Sequence, residues 1–408
     1  MSTSEAARDV ASLPEFPGEL LGELGGEPTP LTERLFAAAA DTPLRLGADG
    51  LVLLRNHDLA AVASNSAAGN APADSFVSDP VTLRLLENHI FTMNPPVHGP
   101  RRSAFLRQFG AGKIERYRGL ADAVVEQLIV EGCERGVIDF HREFAVRATV
   151  RFWGAIVGLN VGEQATLEEC IAGDYSLNFL LAPSEEEASR RAAANQVYLD
   201  TVANAIVRSL IAGDEVLLEL KSGLDADDTN HGGAEELGLL LAATLTDGFH
   251  TLAVGISNAV LAVLARPDVH ARLRDSPELI DNAFHEGTRL EPPICATPRY
   301  ALEDFVYDGL LIPGGTGITM MWMAGNRDPQ AFDAPNEYHL DRGAARVRTF
   351  GGGLHICAGR AASRLLGTAV LRGLLNDRTE VSAAGGPPRW KTGSFLHELD
   401  ALPVSICR

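Results

Sequence analysis

The residues Phe350-Gly351-Gly352-Gly353-Leu354-His355-Ile356-Cys357-Ala358-Gly359 set one cysteine at the end of a glycine-rich loop, directly before a stretch spaced as a helix. That arrangement suits a thiolate ligand to a metal. The glycines let backbone amides approach the sulfur closely, where N–H donors temper its charge. The positive end of the following helix is expected to lower the thiol pKa. A second reading of Cys357 is a structural cysteine in a tight turn, since free cysteine is among the most buried residue types.

Three other segments carry groups able to do chemistry. Asp247-Gly248-Phe249-His250-Thr251-Leu252 holds an acid, an imidazole and an alcohol within one long helical pattern. Histidine both accepts and donates protons near neutral pH, its reference pKa being about 6.5. Asp247 lies three residues before His250 and can pair with it or meet a donor on a substrate. The plainer reading of His250 is a core histidine bonded to backbone. Glu286-Gly-Thr-Arg289 places an acid and a base three apart on one helix face, where an ion pair forms. Asn94-Pro-Pro-Val-His98-Gly-Pro-Arg101-Arg102 gathers donors at the start of another helix.

The loop matches every fixed position of Phe-Gly-x-Gly-x-His-x-Cys-x-Gly and so resembles the haem loop of cytochrome P450s. The resemblance implies haem b (iron protoporphyrin IX), with Cys357 as the axial iron ligand and Phe350, Gly351, His355 and Gly359 shaping its loop. It implies that His98, Arg102, Arg299 and His355 serve the two haem propionates, by contacts stronger than neutral hydrogen bonds. Glu286, Arg289 and Arg342 resemble the family's Glu-x-x-Arg element and its third partner, a structural triad. On the distal helix the alcohol is present as Thr251, but His250 stands where the family usually has an acid; both are the candidate catalytic residues. Candidate substrate contacts are His89, Phe91, Thr244, Asp247, Phe249, Thr297 and Phe395, each open to a plainer reading as core packing.

The implied activity is oxidation of a small aromatic molecule with dioxygen and electrons from a ferredoxin and its reductase. A histidine before the threonine resembles P450s of indolocarbazole pathways, which join the two indoles of chromopyrrolic acid through an aryl–aryl bond. Intramolecular coupling of such a bis-indole is therefore the expected reaction. The alternatives are hydroxylation in another secondary-metabolite pathway, peroxide-driven oxidation, and a non-catalytic haem-binding or sensor protein.

Composition bounds these readings. With 408 residues, 46% hydrophobic and 22% charged, the chain has the make-up of an ordinary globular enzyme, and no linker-like tract splits it. One P450-like domain over 1–408 is expected. Residues 1–24, rich in Ser, Ala, Glu and Pro, read as a flexible segment without a signal peptide or membrane span, so a cytoplasmic protein is expected. The net charge of −19 opposes binding to nucleic acid or anionic lipid. A local basic patch of Arg101, Arg107, Lys113, Arg346, Arg348, Arg360 and Arg364 could still steer an acidic ferredoxin. Five widely spaced cysteines without a Cys-x-x-Cys pair argue against a disulfide framework and a zinc site.

The elements that must position these groups are mostly helical. Apolar spacing predicts helices over 114–132, 142–159, 163–172, 184–212, 234–265, 268–273, 276–290 and 358–375. Short strands are predicted at 44–48, 50–55, 297–300, 305–307, 310–312 and 316–321, with Pro313-Gly314-Gly315 as a turn. The acidic stretch 225–233 reads as an exposed loop. The expected fold class is mostly α with small β-sheets, in the manner of the P450 haem-thiolate fold.

Overall fold

Thirty-one residues, Ala234–Leu264, form one helix whose apolar residues point in almost every direction, and the fold is built around it. A helix apolar all round must be buried. Among the described residues it is the one helix long and apolar enough to cross a membrane, yet 78% of its most apolar stretch is buried inside the protein. Glu185–Ile211, Val146–Val157 and Ile280–Leu290 pack around it and share its main core. The computed structural model describes residues 8–39, 42–48, 50–75, 77–173, 175, 184–226 and 233–408.

The predicted helices appear with ends moved by a few residues. The start of 142–159 is a π-helical turn, Phe140–Ala145, before the α-helix Val146–Val157. Helices Pro28–Ala39, Asn56–Ala63, Pro80–Asn88 and Glu215–Ala226 were not expected. The last of them takes in residues 225–226 of the expected acidic loop, whose residues 227–232 lie outside the described ones.

A five-stranded sheet orders Leu44–Leu46, Gly50–Leu53, Gly317–Met320, Thr297–Ala301 and Ala68–Gly69 side by side. Its antiparallel register sets Arg299 opposite Ile318 and Thr297 opposite Met320. Strand alternation then sends Thr297 and Arg299 to one face, toward the cavity described below. A second sheet joins Glu380–Ala383, Pro403–Cys407 and Val137–Asp139, pairings that span most of the chain and leave no local signal.

The expectation of a flexible segment over 1–24 fails for residues 8–24. Arg8–Asp9 pairs in parallel with Leu310–Ile312, and Phe16, Leu20 and Leu24 are buried. The segment is also tied to the far end of the chain, because Ser394 N–H donates to Leu24 O at 3.2 Å and His397 Nδ1 meets Gly25 O at 2.8 Å. Short elements, the Arg8–Asp9 strand and the 3-10 turns Val10–Ser12 and Gly18–Glu23, hold apolar residues between the prolines against the core.

Candidate active site

The cysteine loop bends where only glycine fits. Gly351 and Gly353 have φ of 70° and 62°, and a Cβ on Gly353 would stand 1.7 Å from Ala63 O. The turn brings Cys357 N–H to Phe350 O at 2.9 Å, three residues before the helix Arg360–Leu374. Burial pushes the Cys357 thiol up to about 11, outweighing the Gly359 N–H and the Arg102 and Arg360 charges that pull it down. The helix start therefore does not make a thiolate by itself. A metal cation on the sulfur supplies what is missing, since a coordinating thiol is deprotonated by the ion's charge.

Cys357 faces a cavity enclosing about 1840 Å³ of atom-free space, counting the part that opens to solvent. Among the described residues no cluster of three or more His, Cys, Asp or Glu side chains could hold a bare metal ion. An iron here must arrive with its own equatorial ligands, as haem iron does.

The cationic end of the cavity fits the haem's carboxylates. His98, Arg102, Arg299 and His355 all line it, with the His98 and His355 rings 4.2 Å apart. Arg299 is buried, yet its partners are neutral: Asn70 Oδ1 at 3.1 Å, Pro298 O at 2.9 Å and the Phe91 ring at 4.9 Å. Arg102 donates to Ile356 O, and the buried His98 Nε2 has no hydrogen-bond partner among the described residues. Burial, reinforced by the neighbouring arginines, pushes His98 down to about 4 and His355 to about 3. Burial alone pushes Arg299 down to about 10. Buried cations are stable only when paired, and two propionates are the matching anions.

Asn70 escaped the sequence reading, and Asn94 entered it only as the first residue of the Asn94-Pro-Pro-Val-His98 segment. Asn70 holds Arg299 through Oδ1 and reaches the His355 ring through Nδ2 at 3.3 Å, while Asn94 Oδ1 accepts its backbone N–H at 2.9 Å. Nothing in the residue types marks them.

The long helix sends Thr244, Asp247, Gly248, Thr251 and Gly255 into the cavity, one stripe at three- and four-residue spacing. Thr251 Oγ1–H donates to Asp247 O at 2.7 Å. His250 and Phe249 lie off that stripe, correcting two expectations. Adjacent helical residues point about 100° apart, and the cavity face takes in Thr251 and Leu252 on its one side but not His250 on the other. Phe249 is fully buried against Tyr198, at 5.7 Å between ring centres. His250 Nε2 faces Glu398 Oε2 at 3.6 Å, and its ring meets Tyr175 edge-on at 5.8 Å.

Glu398 gathers more than His250. Lys391 Nζ donates to its Oε1 at 2.6 Å, and His141 Nε2 lies at 3.5 Å. Burial would raise this carboxyl, but His141, His250 and Lys391 together hold it well below the carboxylate range. A depressed carboxyl contributes stability above the unfolded value of about 4.3 and loses it as pH falls toward the folded one. His250→Ala and Glu398→Gln should each lower unfolding free energy by about 1–3 kcal/mol at neutral pH. Glu398→Gln should also flatten the loss of stability on acidification below about pH 4.3; denaturant unfolding against pH checks both.

The remaining expected contacts divide. His89, Phe91, Thr297 and Phe395 line the cavity, although the Thr297 hydroxyl already accepts from Trp322 Nε1 at 2.8 Å. Phe395 is positioned by Cys295 N–H donating to its carbonyl at 2.7 Å. Behind the site, all five N–H donors of Arg289 are used: Nε and Nη2 on the Glu286 carboxylate at 2.7 and 2.8 Å, and three backbone carbonyls. Arg342 Nε reaches the same carboxylate at 3.0 Å. Of the basic patch, Arg101 and Arg348 are half-buried, Arg364 pairs with Asp281, and Arg107, Lys113, Arg346 and Arg360 are exposed.

The chain is similar to known proteins along most of its length. The cytochrome P450 sequence profile matches residues 213–376. Cytochrome p450 CYP199A2 of Rhodopseudomonas palustris is 30% identical over 325 residues, 78% of this chain and 76% of that one. Cytochrome P450 144 of Mycobacterium tuberculosis is 28% identical over 77% of this chain and 72% of its own. The solved structure of P450BioI, crystallised with an acyl-carrier-protein-bound hexadecenoic acid, superposes with a TM-score of 0.82 at 22% identity, covering 94% of this chain and 99% of that one. A cysteine loop that calls for a metal, a cationic wall that calls for carboxylates and a relative sharing 30% of its residues over three-quarters of both chains lead to one conclusion: this chain belongs to the cytochrome P450 family, whose members are haem b monooxygenases.

Proposed function

We propose that this enzyme hydroxylates a small aromatic intermediate of a bacterial secondary-metabolite pathway, drawing electrons from a ferredoxin and its reductase. The observation that carries the reading is Thr251 and Cys357 lining one cavity whose other walls, Phe91, Trp153 and Phe395 among them, are largely apolar and aromatic. Relatives named 6-deoxyerythronolide B hydroxylase, from Saccharopolyspora erythraea, and polyketide biosynthesis cytochrome P450 PksS, from Bacillus subtilis, support the pathway class at 27% and 26% identity.

Haem bound in the cavity supplies one-electron and dioxygen chemistry. Cys357 would hold its iron, with the Gly359 N–H tempering the sulfur's charge; Phe350 and Gly351 would set the loop. His98, Arg102, Arg299 and His355 would hold the propionates, orienting the ring. Thr251 presents the hydroxyl that can hold and pass a proton at Oγ1 on the cavity face. His250 acts from behind the helix, through the Glu398 contact, rather than on substrate. Glu286, Arg289 and Arg342 keep the loop's supporting wall in place. The exposed Arg107, Lys113, Arg346 and Arg360 would meet an acidic ferredoxin.

A second reading, aryl–aryl coupling of a bis-indole such as chromopyrrolic acid, rests on the histidine before Thr251 and on the aromatic side chains Phe91, Trp153 and Phe395 along the cavity. Its proton-carrying histidine, however, is turned from the cavity. Incubating holoenzyme, ferredoxin and reductase with chromopyrrolic acid and a panel of simpler aromatics under isotopically labelled dioxygen separates the two. Product carrying one labelled oxygen atom is the expected result. A coupled product free of label would replace hydroxylation by coupling. Failure of every aromatic, with haem fully reduced by ferredoxin, would overturn both.

A further inference from the structure

The cavity's polar groups fall into two sets. Arg102, Arg299, His98 and His355 are matched by the haem's own carboxylates. The distal helix contributes a separate set, Thr244, Asp247 and Thr251, and Asp247 is the one carboxylate among the described lining residues.

Among the described residues, little satisfies that carboxylate. Its side chain retains 37% exposure, opening into the cavity, and its near neighbour is His89, Nε2 to Oδ2 at 3.4 Å. His89 Nδ1 accepts the Phe91 N–H at 2.9 Å, so Nε2 bears the ring proton. That Nε2 nonetheless makes no aligned hydrogen bond. Thr251 donates to the Asp247 backbone carbonyl, not to its side chain. One turn earlier, Thr244 Oγ1 is buried without a hydrogen-bond partner among the described residues. A carboxylate and a hydroxyl left open toward apolar walls are what a ligand of opposite charge would complete.

From these groups we infer that Asp247 is the specificity anchor of the substrate site and selects a substrate carrying a cationic nitrogen over one carrying a carboxylate. The inference rests on the proposed reading of the cavity as the substrate site. Asp247 accepts the ligand's positive end, Thr244 adds a polar contact beside it, and Phe91 and Phe395 cover the aromatic body. A carboxylated substrate brings like charge against Asp247 and has no free cation to answer it, because the arginines are committed to the haem.

Calorimetric titration of the oxidised holoenzyme, without electrons, tests this. Three indoles of matched size serve as probes: N,N,N-trimethyltryptammonium, whose quaternary nitrogen cannot ligate iron, the neutral indole-3-propionamide, and the anionic indole-3-butyrate. The ammonium is expected to bind at least about tenfold tighter than the butyrate. Asp247→Asn should shrink that ratio to within about twofold while the amide's affinity and the haem spectrum hold. Asp247→Glu should keep the preference, which guards against a mere folding defect. Equal binding of butyrate and ammonium, a preference that survives Asp247→Asn, or no binding of any probe would overturn the inference. Because no turnover is read, a charge preference seen in an enzyme that hydroxylates nothing would leave Asp247 standing and sink the reaction instead.

Discussion

Cys357→Ala is expected to abolish the thiolate signature of the carbon monoxide complex and all turnover, while far-ultraviolet circular dichroism shows the helices intact. The side chain sits in a loop, so its loss removes no core packing; it removes the sulfur that faces the cavity. Haem affinity should fall by more than the ~10–100-fold typical of changes in a metal's outer shell. No other cysteine can substitute. Cys295 is buried outside the cavity with its thiol pushed up to about 12, and Cys170 lies beside Ala194 O at 3.2 Å. Retention of the thiolate spectrum in the variant would mean that the iron ligand has been misassigned.

Arg289→Lys should be the most damaging change away from the haem, lowering stability by about 3–5 kcal/mol. Arg289 is fully buried and its planar fork meets two carboxylate oxygens and three carbonyls, from Asn326, Pro335 and Glu337. A lysine ammonium has three donors and no fork, so acceptors on two segments are left unpaired. Those segments lead into the cysteine loop: Asn326 Oδ1 accepts the Arg348 N–H at 2.6 Å, and Thr349 donates to Thr288 O at 2.9 Å. Denaturant unfolding and the rate of haem loss should both show the defect, and a loss under about 1 kcal/mol would deny the triad its structural role. Burial alone would raise the Glu286 carboxyl; Arg289, with the His339 N–H and Arg342, holds it below its usual value. Its contribution is thus complete at neutral pH and fades as pH falls below about 4.3.

Much of the site could be read along the chain because its parts are local. The cysteine loop needs glycines at fixed positions for its positive φ, and Glu286 meets Arg289 one helical turn away; both are written in spacing. The long helix announced its ends, Ala234–Leu264 against an expected 234–265, through unbroken apolar content.

What stayed hidden depends on segments distant in sequence. Whether His250 or Asp247 faces the cavity is a rotation about the helix axis, and that rotation is fixed by what packs against it: Glu398 and Tyr175 on one side, His89 on another. The thiol of Cys357 rises instead of falling because a whole fold removes water around it, a term no helix-end argument contains. Asn70 matters only because the fold carries it to Arg299 and His355, with Asn94 holding its backbone, and the N-terminal segment is fixed by partners near residue 396. The sequence determined which chemical groups exist and which local turns and helices bear them. The tertiary structure decided which of those groups share a cavity, which are paired away from it, and which charge is left open to a substrate, because burial and partnership are properties of contacts between elements and not of the elements themselves.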